Sequence, residues 1–235
     1  MKKINPFFIV SARVFQITVW PLTRFILWFF GRLEVRGLEH LQDLPKGKAV
    51  IFASNHSAEI DPFIPPASLP FMSRFIPLYY TIREKSFYDE SGFMQIFYGG
   101  FFFKFIGGQY VYAGLKDYEK SLPNHIELLR QNRNLFIFPE GGINRIGTGV
   151  REAKGGIAYL AEKMNSPIVP IGISGMYGMS FADFFMRKRK IRVVFGAPIS
   201  QEEIKSVIHR NGADTIGVYK KEAQYIMDKI AAMIQ

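Results

Sequence analysis

His56 and Asp61 are the residues of this chain whose types and spacing best suit proton chemistry. They stand in Asn55-His56-Ser57-Ala58-Glu59-Ile60-Asp61-Pro62, directly after an apolar run that ends at Ser54. A neutral imidazole accepts a proton from a hydroxyl near pH 7. A carboxylate on the other ring nitrogen fixes the tautomer and stabilises the imidazolium that forms. On a regular helix the two side chains would point about 140° apart, so they meet only across a tight turn. Pro62 favours a turn, because it disfavours helical backbone angles at Asp61. The plainer reading takes Asp61-Pro62 as a helix cap with proline at the first helical position, and His56 as a hydrogen-bonded loop residue.

A second group follows another apolar run: Phe138-Pro139-Glu140-Gly141-Gly142-Ile143-Asn144-Arg145. Proline stops a strand ladder, and the glycines allow positive φ and close approach of a ligand to backbone N–H groups. A carboxylate at a strand end needs a partner or water. Read alone, this group is a glycine-rich turn with an exposed Glu140. No serine lies in a nucleophile-elbow context. Acyl transfer here would therefore use His56 directly on an acceptor hydroxyl, with no acyl-enzyme. The absence of cysteine excludes disulfides, thiol nucleophiles and thiolate metal sites. The four histidines, at 40, 56, 125 and 209, show no metal-ligand spacing, so no metal is expected.

The elements that must position these groups alternate along the chain. Lys48–Ser54, Asn134–Phe138, Ile168–Ser174 and Ile191–Phe195 read as buried strands. Lys116–Gln131, Glu152–Met164 and a segment from about Thr215 to Ile234 read as helices, the last with an apolar stripe at helical spacing. Strands alternating with helices predict an α/β fold, a mixed and mostly parallel sheet flanked by helices. Such sheets present functional groups at the loops beyond their strand ends.

The 235 residues suffice for one sizeable domain, and their net charge is +10. Lys2, Lys3, Arg13, Arg24 and Arg32 precede the first acidic residue, Glu34. Cations within a mostly apolar N-terminus suit an anionic membrane surface better than a nucleic acid groove. Arg13 and Arg24 interrupt residues 6–31, and Pro21 breaks their helical ladder. Two short helices bent near Pro21 and lying in the membrane interface are expected, with a tilted single span as the alternative. Residues 1–32 form this membrane-associating part and residues 33–235 the α/β domain. A later cluster, Arg187, Lys188, Arg189, Lys190 and Arg192, reads as a solvated face.

Asn-His, four residues, Asp, then Phe-Pro-Glu-Gly about 80 residues on resembles the glycerol-3-phosphate and lysophosphatidic acid acyltransferase family. Glu34-Val35-Arg36-Gly37-Leu38-Glu39, Lys154-Gly155-Gly156-Ile157-Ala158 and Ile168-Val169-Pro170-Ile171 extend the resemblance over roughly residues 33–200. It implies His56 as general base and Asp61 as its orienting partner. It implies an acceptor held by Glu140, with Asn55, Gly141, Gly142, Arg145 and Lys154 around the substrate and backbone N–H groups near Gly141 and Gly142 on the oxyanion. It implies acyl-CoA or acyl carrier protein as donor, no cofactor, membrane lipid as partner, and attachment at the cytoplasmic face of the inner or plasma membrane.

Two departures bear on the acceptor. Gly142-Ile143 stands where the family has Thr-Arg, and Ala113, ending Gly108-Gln109-Tyr110-Val111-Tyr112, stands where it has Arg. Those arginines are thought to bind the acceptor's phosphate. Either Arg145, Arg151 or Lys154 takes that part, or the acceptor lacks an accessible phosphomonoester; the second option is the one favoured here. The reading is an O-acyltransferase acting on a lysophospholipid or related glycerolipid. The alternatives are a catalytically idle membrane-binding protein on the same scaffold and an acyl thioesterase. The aromatic stretch from Phe71 to Gly108 reads as core packing, with some of it walling an acyl-chain groove.

Overall fold

The computed structural model describes residues 4–83, 100–147, 149–208 and 215–234. Phe87, Tyr88, Phe93, Phe97, Tyr98 and His209 lie outside these residues.

The first element corrects an expectation. Helix α1 (Pro6–Phe29) runs unbroken through Pro21 instead of forming two short helices. Proline removes one backbone donor, but tertiary bonds hold the helix on both sides of it. Gln16 Nε2 donates to the carbonyls of Leu78 and Ile106, and Gln16 Oε1 accepts from Leu78 N–H. Trp20 Nε1 donates to Leu69 O, and Arg24 to Ala67 O. Among the described residues no helix is long and apolar enough to cross a membrane.

The chain continues through β1 (Glu34–Arg36), β2 (Ile51–Ser54), α2 (Ile64–Ser68), β3 (Tyr79–Arg83), α3 (Phe101–Phe105) and β4 (Gly108–Val111). Then come α4 (Tyr118–Ser121), α5 (Pro123–Arg130), β5 (Leu135–Ile137), α6 (Gly156–Met164) and β6 (Ile168–Ser174). Last are α7 (Phe181–Phe185), β7 (Arg192–Phe195), α8 (Gln201–Val207) and α9 (Thr215–Met233). The single helix expected over 116–131 divides at Leu122, because Pro123 ends one ladder and starts the next at its N-terminal position.

The strands form one sheet in the order β1-β7-β6-β2-β5-β3-β4. Neighbours are parallel except β6 and β7, so β1 and β7 run against the other five. Alternate residues of the central strands enter opposite cores. Ile51, Ala53, Leu135 and Ile137 pack with α5, α6 and α9 on one face. Phe52, Phe136, Val169 and Ile171 pack on the other, with Leu27 of α1 and Ala67 of α2. All four side chains of β2 are buried, as a strand covered on both faces requires. The parallel ends of β2, β5 and β6 therefore deliver the His56 and Glu140 loops to one edge of the sheet.

Candidate active site

His56 lies two residues beyond the end of β2, and the turn that follows folds back on it. His56 Nδ1 is 3.1 Å from Asp61 Oδ2, and the backbone N–H of Ala58 donates to the same oxygen at 2.8 Å. Ser57 N–H also donates to it. Asp61 is fully buried: Oδ2 meets the His56 ring nitrogen and two backbone N–H groups, whereas Oδ1 has no hydrogen-bond partner among the described residues. The cap-and-proline reading does not hold: the 3₁₀ turn Asp61–Phe63 is capped by Ile60, Asp61 is its first residue, and its carboxylate turns back to His56, Ser57 and Ala58 instead of capping a helix. With Nδ1 committed to Asp61, Nε2 is the ring nitrogen left to accept a proton.

Glu140 ties the two loops together. Its Oε1 accepts from His56 N–H and its Oε2 from Arg151 N–H, both at 2.8 Å. Burial pushes the Glu140 carboxyl above its usual range, while those two N–H bonds pull it down. The carbonyl of His56 accepts from Asn144 N–H at 2.6 Å. Phe138, at the end of β5, stacks on the imidazole at 3.9 Å between centroids and 14° between planes. The ring is thus held by a carboxylate at its edge, an aromatic on its face and hydrogen bonds along its backbone.

His56 borders two cavities, one largely apolar and one mixed. One, of about 310 Å³, runs beneath α1 and is lined by Phe15, Val19, Trp20, Pro66, Tyr80 and Phe103 among others. The other, of about 200 Å³, is mixed and more polar than the first, lined by Ser57, Glu140, Ser174, Tyr177 and Arg189 as well as Ile173 and Ile234. Some of the aromatic stretch thus walls a cavity, while Phe75 and Tyr79 are core.

The remaining expected site residues fare differently. Asn55 is buried, and its amide is spent on β6: Oδ1 accepts from Ile173 N–H at 2.8 Å and Nδ2 donates to Ile173 O at 2.9 Å. It fixes the His56 loop to the sheet. Gly141 has φ +72° and its N–H donates to Phe138 O, so that N–H closes a turn and does not face an oxyanion. Neither Gly141 nor Gly142 lines either cavity. Arg145 is exposed and pairs with Glu59 at 3.0 Å. Lys154 N–H donates to Pro139 O at 2.8 Å, and its side chain lies along Gly141.

Residue types alone did not single out Arg83, Phe138, Tyr177 or Arg189. Arg83, at the end of β3, donates to Gly141 O at 2.8 Å, and its guanidinium fills the space where a side chain at position 142 would stand. Arg151 donates to Ile143 O. Both arginines brace the glycine turn. The only sequence signal for Arg83 was its place after the Tyr79-Tyr80-Thr81-Ile82 run. Among the described residues no group of acidic, His or Cys side chains is arranged to hold a metal.

The acyltransferase family model matches residues 32–174. Curated protein sequences yield no significant match. Among solved structures, the crystal structure of the 1-acyl-sn-glycerophosphate (LPA) acyltransferase PlsC from Thermotoga maritima is similar, with a TM-score of 0.59 and 16% identity. The similarity covers 93% of this chain and 80% of that one. At that identity the likeness is one of fold: the sheet with its flanking helices and the N-terminal helix.

Proposed function

Because this chain belongs to the acyltransferase family, we propose that it moves a fatty acyl group from acyl-CoA or acyl carrier protein to a hydroxyl of a lysophospholipid or related glycerolipid. The observation that carries this reading is the His56–Asp61 pair opening onto an apolar cavity. The acyl chain lies in the cavity beneath α1, which brings its thioester carbonyl to the imidazole. The acceptor hydroxyl gives its proton to His56 Nε2 as its oxygen attacks that carbonyl. Asp61 stabilises the imidazolium. Collapse of the tetrahedral intermediate breaks the C–S bond, and the thiolate leaves with the proton from His56. No cofactor enters the scheme.

Membrane attachment belongs to the same proposal. Phe7, Val10, Val14, Leu22, Phe25 and Trp28 are exposed along α1. An exposed apolar face of this extent suits a lipid surface. With acyl-CoA or acyl carrier protein as donor, the surface proposed is the cytoplasmic face of the inner or plasma membrane.

Incubation of the purified protein with labelled acyl-CoA and a panel of lysolipids tests the reaction. Labelled diacyl product is the expected result. Loss of acyl-CoA without lipid product would make the protein a thioesterase, and no consumption with any acceptor would leave it an idle scaffold.

A further inference from the structure

Two arginines of the resembled family are missing from this chain, yet Arg189 lines the same cavity as His56. Against the sequence expectation of an acceptor without an accessible phosphomonoester, we propose that the more polar pocket beside His56 binds the phosphate ester of the acyl acceptor, with Arg189 as the cation that recognises it. The inference rests on the transfer reading above and assigns the acceptor's place within it.

The basic run at 187–192 divides once its partners are known. Lys188 pairs with Asp183, Lys190 and Arg192 lie against Glu34, and Arg187 lies over the ring of Phe29. Among the described residues Arg189 has no carboxylate within ion-pair distance; its Nη1 donates to Tyr177 O at 2.6 Å instead. That bond anchors the guanidinium on the pocket wall and leaves its other N–H groups for a ligand. The chain brings Arg189 there by the antiparallel return of β7 along β6, which pairs Arg192 with Ser174. Gly175 makes the close approach possible: its φ is +90°, and a Cβ there would collide with the carbonyl of Lys190.

The pocket's other polar groups suit a phosphoglycerol. Ser57 and Ser174 line it, the Ser57 hydroxyl lying 3.5 Å from Asp61 Oδ2, and Glu140 lines it with both oxygens already accepting backbone N–H bonds. The volume of about 200 Å³ admits a phosphoglycerol-sized head. It is too small for the nucleotide of coenzyme A, the other source of phosphate in the reaction. Arg83 and Arg151 spend hydrogen bonds on the Gly141–Ile143 turn and line neither cavity.

Calorimetric titration of the full chain with monohexanoyl glycerol phosphate below its micelle concentration, and separately with coenzyme A, tests the site. Arg189→Gln should weaken binding of the lysolipid by about tenfold or more, since a charge-assisted bond to phosphate is lost. Coenzyme A binding should not change. Arg189→Lys, which keeps the charge but loses the planar fork, should fall between the two. Arg189 is exposed, so melting temperatures should match. Equal lysolipid affinities in wild type and Arg189→Gln would overturn the assignment, and so would a loss confined to coenzyme A. Binding does not require turnover. A protein that holds the lysolipid through Arg189 but forms no diacyl product would keep this site and lose the transfer reading.

Discussion

The N–H of His56 donates to Glu140 Oε1 at 2.8 Å, so a carboxylate 84 residues away holds the backbone of the proposed base. Its other oxygen holds Arg151, and one side chain thereby joins the end of β2 to the segment before α6. Glu140→Gln keeps the size but sets an amide NH₂ against one of those two donors. We expect a loss of about 1–3 kcal/mol in unfolding free energy together with a lower kcat. Urea denaturation and steady-state kinetics check both; wild-type values for each would show that Glu140 does not clamp the loops.

The cavity beneath α1 sets the length of acyl chain in this account. Val19 lines it from the helix. Val19→Phe fills part of the space, so transfer of the longest chains should fall by about tenfold while shorter chains are spared. A series of acyl-CoA donors of rising length reads this out. An unchanged length profile would place the acyl chain elsewhere.

Burial pushes the His125 imidazole down to about 4 from 6.5. As pH falls the unfolded chain takes up its proton first. Stability is therefore complete above the unfolded value and is lost as pH falls through the folded one. The full loss is roughly 3 kcal/mol. Unfolding free energy should drop between pH 7 and pH 5 in the wild type and drop less in His125→Leu. Equal pH slopes would contradict a buried neutral imidazole.

Membrane binding is best tested on the exposed face of α1, because Ala12, Gln16 and Leu27 of the same helix are buried in the fold. Deleting the helix would open the apolar cavity as well as remove the lipid contact. Phe25→Asp with Trp28→Asp should release the protein from anionic vesicles in a flotation assay and leave its melting temperature near wild type. Undiminished flotation would move the attachment away from α1.

Much of this was legible in the residues. β6 follows the boundaries of its apolar run, Ile168–Ser174, and β2, β5 and β7 lie within theirs. Strands buried on both faces have to be continuously apolar, which makes them visible. β1 is three residues long, and β4 carries Gly108 and Gln109, so neither shows a strand pattern. His56 and Asp61 were readable because their pairing is local. Asn55 was not, since only the fold shows its amide bonded to Ile173, 118 residues away. Arg189 was hidden for the same reason: by type it matches its basic neighbours, and only the return of β7 singles it out. The continuity of α1 through Pro21 depends on bonds from Gln16, Trp20 and Arg24 to distant carbonyls.

The central claim is that the His56 imidazole takes the acceptor's proton. Its most direct test is the transfer rate of His56→Ala with saturating acyl-CoA and lysolipid, on protein whose melting temperature matches the wild type. A fall of about a hundredfold or more is expected, the usual contribution of a positioned base. A rate within about threefold of wild type, far above that range, would mean that the proton leaves by another route.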